Sequence, residues 1–183
     1  AANNLASTLW NLFSVCFISL GSATGIIIGQ MLGAGKPADE VRDCDRKLIA
    51  FSVTSCAVFG IAMAAVSGVF PLIYKTDNSV RSLATAFICI NAVIMPFNAY
   101  ANAAYFTLRS GGKTLSTLLF DSCFVWVVSV PVAYTLSRFT GIAILPLYAV
   151  CQSAEILKCV IGYIMLRRGN WIKNIVQTHP DAE

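Results

Sequence analysis

Residues 82–108 read SLATAFICINAVIMPFNAYANAAYFTL and carry no charged side chain. A helix needs about 20 apolar residues to cross a hydrocarbon core about 30 Å thick, so this stretch alone decides the fold class. It has company: no charged residue precedes Lys36, and none occurs between Leu48 and Tyr74. Over the 183 residues, 57% are hydrophobic and 12% charged, against roughly 45–50% and 25% in soluble domains. Mean hydropathy is +0.71. These values exclude a soluble globular domain, a disordered chain and a nucleic-acid partner; the partner they imply is a lipid bilayer. The expected fold is an all-α integral membrane bundle of five transmembrane helices, at about 5–33, 48–74, 82–108, 114–136 and 142–166. Residues 1–168 form the transmembrane part and 169–183 a tail.

Charge placement orients the bundle, because cytoplasmic loops carry the excess of Lys and Arg. Lys36, Arg42, Arg46, Lys47, Arg109, Lys113, Arg167, Arg168 and Lys173 fall on one side; Lys75, Arg81 and Arg138 fall on the other. The tail is thus expected in the cytoplasm and Ala1 outside, in the inner (plasma) membrane of a cell. The chain has no initiating Met and no charged n-region ahead of its first apolar run, so that run is not a signal peptide. The chain reads as a fragment of something longer.

Cysteine and histidine add no chemistry. Of Cys16, Cys44, Cys56, Cys89, Cys123, Cys151 and Cys159, all but Cys44 lie in apolar runs and none forms CxxC; such cysteines pack as small hydrophobes. His179, in the polar tail, is the sole histidine, so no metal site is expected. Gly21, Gly25, Gly29 and Gly33 recur every four residues, and Gly60, Ala64 and Gly68 repeat the spacing. Small residues on one helix face let backbones approach closely in lipid, which places these helices in a multi-helix bundle.

Polar groups at membrane depth are the candidate functional residues. Asn91, Met95, Asn98, Asn102 and Tyr105 follow steps of four and three and so share one helix face. Two roles stay open for the asparagines: hydrogen bonds across the bundle, or the wall of an aqueous cavity. Asp121, Glu155 and Lys158 lie deep in apolar runs, where an unpaired charge costs about 2.5–3.5 kcal/mol. Equal depths on adjacent antiparallel helices predict an Asp121–Lys158 pair. Glu155 either holds Lys158 one turn away or acts as a protonatable relay group, and Gln152 and Cys159 share its face.

Two motifs are more specific. Gly29-Gln30-Met31-Leu32-Gly33-Ala34-Gly35-Lys36 ends the first apolar run; Leu108-Arg109-Ser110-Gly111-Gly112-Lys113-Thr114 ends the third and leads to Phe120-Asp121-Ser122, Trp126 and Pro131. Together with Glu155-Ile156-Leu157-Lys158 and Gly169-Asn170-Trp171, they resemble the carboxy-terminal lobe of multidrug and toxic compound extrusion (MATE) transporters. The resemblance implies a twelve-helix, two-lobe fold of which this chain supplies five helices, the first lobe being absent. It also implies an exporter that is not an enzyme and has no cofactor, with a proton or sodium gradient as its energy source and amphipathic drug-like or cationic small molecules as its partners. Asn91, Phe97, Asn98, Asn102, Tyr105 and Gln152 would then contribute to a substrate cavity and Glu155 to proton coupling. In the sodium-coupled NorM-type branch a carboxylate stands where Asn98 is here, so the chain looks more like the proton-coupled DinF-type branch. The alternatives are a lipid-linked precursor or polysaccharide flippase of the same superfamily, or an inactive half-transporter.

Overall fold

The computed structural model describes residues 2–73, 77–112, 117, 125–139, 144–169 and 171–172. Helix α1 spans Ala2–Gly33, α2 Ala38–Val66, α3 Asn78–Ser110, α4 Val130–Phe139 and α5 Ile144–Arg167. A 3₁₀ turn occupies Phe70–Ile73, and a π-helical turn, Val125–Ser129, leads into α4. There is no strand among the described residues. Four helices are long and apolar enough to cross a membrane: Asn3–Gly33, Ala38–Val66, Asn78–Ser110 and Leu145–Arg167. The fold is an all-α membrane bundle, as the sequence implies. Of the expected span 114–136, only residue 117 and the part from Val125 onward lie among the described residues.

Local chemistry explains the helix ends. α2 begins directly after Pro37, with Asp39 and Glu40 in its first turn, where carboxylates complement the positive end of the helix dipole. The glycine motif closing α1 is a helix stop. Gly35 adopts φ +67°, and the Gly35 and Lys36 amides donate to Leu32 O and Met31 O at 3.2 Å each. That pattern satisfies carbonyls left over at a helix C-terminus and requires a residue without Cβ at the left-handed position. Gly111 caps α3 and Gly112 turns the chain with φ +80°. The π-helical turn precedes Pro131, whose missing N–H leaves the Val127 carbonyl without its usual partner.

α3 is the central helix: α1, α2 and α5 all pack against it. The core runs along it in three tiers. Leu5, Leu9, Met63, Phe87 and Ile88 form one end, Phe17, Cys56, Met95 and Ala99 the middle, and Ile28, Leu32, Val41, Leu108 and Trp171 the other end. The outer surface is apolar too, with Leu12, Ile61 and Trp126 each about 70% exposed (69%, 71% and 73%). Large apolar side chains standing outward in this way suit hydrocarbon rather than water.

Small residues set the helix spacing unevenly. A Cβ on Gly21 or Gly25 would lie 3.0 Å from the Phe106 side chain, one on Gly29 no nearer than 3.8 Å to Ser110, and one on Gly33 would meet nothing within 4 Å. The tightest approach on α2 is Gly60, where an added Cβ would sit 2.7 Å from Ala92 O. Pro96 lies inside α3 and cannot donate to that carbonyl four residues back. The bare backbone of Gly60 fills the space instead. Gly68 lies beyond the end of α2, with open space around it.

Candidate functional site

The asparagine face of α3 divides between two roles. Asn91 is 1% exposed, and its Oδ1 accepts from Tyr148 Oη at 2.7 Å and Gln152 Nε2 at 2.9 Å. It joins α3 to α5, with the Phe87 and Tyr148 rings tilted against each other beside it, centroids 4.5 Å apart. One turn and more along, Asn98, Asn102 and Tyr105 line a polar pocket of about 230 Å³, which Glu155 and Lys158 complete from α5. The amides are held against α3 itself: Asn102 Nδ2 donates to Asn98 O at 3.0 Å and Asn98 Nδ2 to Ile94 O at 3.5 Å.

Glu155 and Lys158 meet as an i, i+3 pair on α5, Oε2 to Nζ 3.6 Å, with side chains 24% and 11% exposed. The expected pair of Lys158 with Asp121 involves a residue outside the described ones, and Lys113 lies outside them too. Cys159, on the same stretch of α5, donates from Sγ to Phe97 O at 3.1 Å. Phe97 itself points away from the asparagines: it lines an apolar cavity with Pro96 and Tyr100. Position 97 stands about 100° around the helix from 98, which is enough to move it to another face.

The motif residues gather at the Trp171 end. Gly29 and Gln30 lie in the last turn of α1, Gly33 ends it, and Arg109 stands exposed in the last turn of α3. Ser110 Oγ donates to Gly25 O at 2.6 Å and Phe106 O at 2.9 Å, and Gly111 packs directly under the Trp171 carbonyl. Gly35 and Gly112 make turns and Gly111 makes a close contact, which accounts for these three without a ligand.

One deep polar contact escaped the reading of the sequence. Asp45 is 3% exposed and accepts from Thr107 Oγ1 at 2.7 Å, tying α2 to α3. Its signal is visible in retrospect: the buried positions of α2 are Val41, Asp45, Ile49, Ser52, Cys56, Gly60 and Met63. Asp45 occupies a regular step on that inward stripe and is the sole charged member.

The MatE family model matches residues 1–135. A protein of Mannheimia succiniciproducens described as "Probable multidrug resistance protein NorM" is 28% identical over 122 residues. The match covers 66% of this chain and 26% of that protein, so the chain corresponds to about a quarter of its relative's length. No solved structure matches the chain.

Proposed function

We propose a transport role from one premise: the chain belongs to the MatE family. It forms part of the substrate path of a secondary active exporter that expels amphipathic cations and related drug-like molecules by alternating access, in exchange for an ion. The observation that carries this reading is the polar pocket between α3 and α5, where Asn98, Asn102 and Tyr105 face the Glu155–Lys158 pair. Its volume, about 230 Å³, is below the roughly 300–1,000 Å³ of sites that enclose drug-sized ligands. It therefore serves as one wall of a larger cavity, closed by the other half of the transporter.

Glu155 supplies the coupling. A proton or a cationic substrate on its carboxylate weakens its hold on Lys158, so the contact between the two side chains loosens. An ion drives a cycle only by binding two states with different affinity, and rearrangement of this pair is a local source of that difference. Asn98 stands where the resemblance puts a carboxylate in the sodium-coupled branch, which supports a proton as the exchanged ion. The basic bias of the motif turns and the tail supports a cytoplasmic Trp171 end.

The test is ethidium efflux from cells expressing the full-length protein, with Glu155→Gln beside wild type at matched protein level. Efflux at least ten-fold slower in Glu155→Gln, together with loss of substrate-induced proton release, is the expected result. Efflux and proton release that survive Glu155→Gln overturn the assignment.

A further inference from the structure

Between α2 and α5, which flank α3 near Trp171, two adjoining cavities lie apart from the polar pocket. The larger, about 830 Å³, has Arg42, Arg46 and Arg167 in its walls, with Asp45 among them. The smaller, about 460 Å³, is floored by Phe97, Ile156 and Val160. Val53, Tyr100 and Tyr163 line both, which makes them one groove with a basic mouth and an apolar floor.

Charge and length together define the occupant. The mouth carries three guanidiniums against one carboxylate, and Asp45 is already engaged by Thr107. Arg42 reaches Asp39 at 3.7 Å, and Asp39 is 98% exposed. The buried Nε of Arg42 has no hydrogen-bond partner among the described residues. The Arg42 side chain is 40% exposed and lines the cavity, so its terminal nitrogens can offer charge-assisted N–H bonds to an oxyanion there. From Arg167 to Ile156 along α5 the groove runs about 16 Å, at about 1.5 Å per residue. That is close to half of a hydrocarbon core of about 30 Å, the depth of one leaflet. Tyr163 sits one turn inside Arg167, where a phenol with a polar tip suits the interface between headgroup and chain.

We propose that this groove binds an anionic phospholipid. Its phosphate lies among Arg42, Arg46 and Arg167, its glycerol beside Tyr100 and Tyr163, and one acyl chain runs over Phe97, Ile156 and Val160. A free anion needs only the mouth and a neutral amphiphile only the floor; the groove joins both. Basic pockets between transmembrane helices on the cytoplasmic side recognise anionic headgroups on the same principle.

The experiment uses the full-length protein in a neutral detergent, with thermal unfolding followed as lipid is added. Dioleoyl phosphatidylglycerol raises Tm by several degrees at saturation, dioleoyl phosphatidylcholine and inorganic phosphate do not, and the gain shrinks with added salt. Arg46→Gln/Arg167→Gln removes two exposed charges without touching the core. It weakens phosphatidylglycerol binding about 30-fold, about five-fold for each guanidinium. Val160→Trp obstructs the floor while keeping every charge, and it weakens binding as well. Equal stabilisation by phosphatidylcholine, or by phosphate alone, overturns the proposal. So does affinity unchanged in both variants. If phosphatidylglycerol binds only after residues 173–183 are removed, the chain's own tail is the occupant and the proposal falls.

Discussion

Replacing Gly60 by Ala tests the central packing contact with one carbon atom. The new Cβ would stand 2.7 Å from Ala92 O, 3.6 Å from Ala92 C and 3.8 Å from the Met95 Cβ. The first contact is to backbone, which cannot rotate aside, so α2 and α3 must separate by several tenths of an ångström. Overpacking of this kind costs about 1–3 kcal/mol, offset by at most ~1 kcal/mol from the better helix propensity of Ala. Gly29→Ala gains the same propensity, but its nearest neighbour would be 3.8 Å away, an ordinary contact. Gly60→Ala should therefore be less stable than Gly29→Ala by about 1–3 kcal/mol. The assay is unfolding of the two variants side by side in one detergent. Equal stability would refute the reasoning, because it would mean that α2 and α3 are not in contact at Gly60.

Other expectations follow from the polar contacts. Asn91→Leu strips the acceptor from both Tyr148 and Gln152 and should lower stability by about 1–3 kcal/mol, the cost of buried donors left unpaired. Asn98→Leu should leave unfolding near wild type yet slow ethidium efflux, since among the described residues its side chain bonds only within α3. Thr107→Val leaves the buried Asp45 carboxylate without its hydroxyl donor and should cost about 1.5–3 kcal/mol. In a double-mutant cycle, Asp45→Asn should recover part of that loss, because an uncharged amide is less costly to leave unpaired; additive losses would show that the two side chains do not interact.

Charge-free runs located three of the four long helices because crossing hydrocarbon imposes a length and a composition that any sequence must display, and the fourth was located by hydropathy despite Glu155 and Lys158. Helix starts were harder. The expected span from 48 follows hydropathy, whereas α2 starts at Ala38 and carries Asp39, Glu40, Arg42 and Asp43 through its first turns. Pro37 followed by two acids is a helix-start signal, and hydropathy is blind to it. The spacing of Asn91, Asn98 and Asn102 was enough to put them on one face. It did not reveal that Tyr148 and Gln152 would meet Asn91, because register between helices depends on packing along both partners. The contact of Glu155 with Lys158, local to one turn, was one of two roles left open for Glu155, and the expected Asp121–Lys158 pair falls outside the described residues. Asp45 was not, since its charge argued for solvent while its step on the α2 stripe argued for the core.

The central place of α3 has a consequence for biosynthesis. A ribosome delivers α1 and α2 to the membrane before residues 78–110 exist. Until then Gly21, Gly25 and Gly60 have no α3 surface to fit, and Asp45 has no Thr107 to bond. The emerging hairpin must wait with a carboxylate and its small-residue faces turned toward lipid, toward itself or toward the insertion machinery. Closure comes when the third span arrives, and it buries both waiting helices at once. Packing of α1 and α2 into the core around α3 therefore waits on the third span.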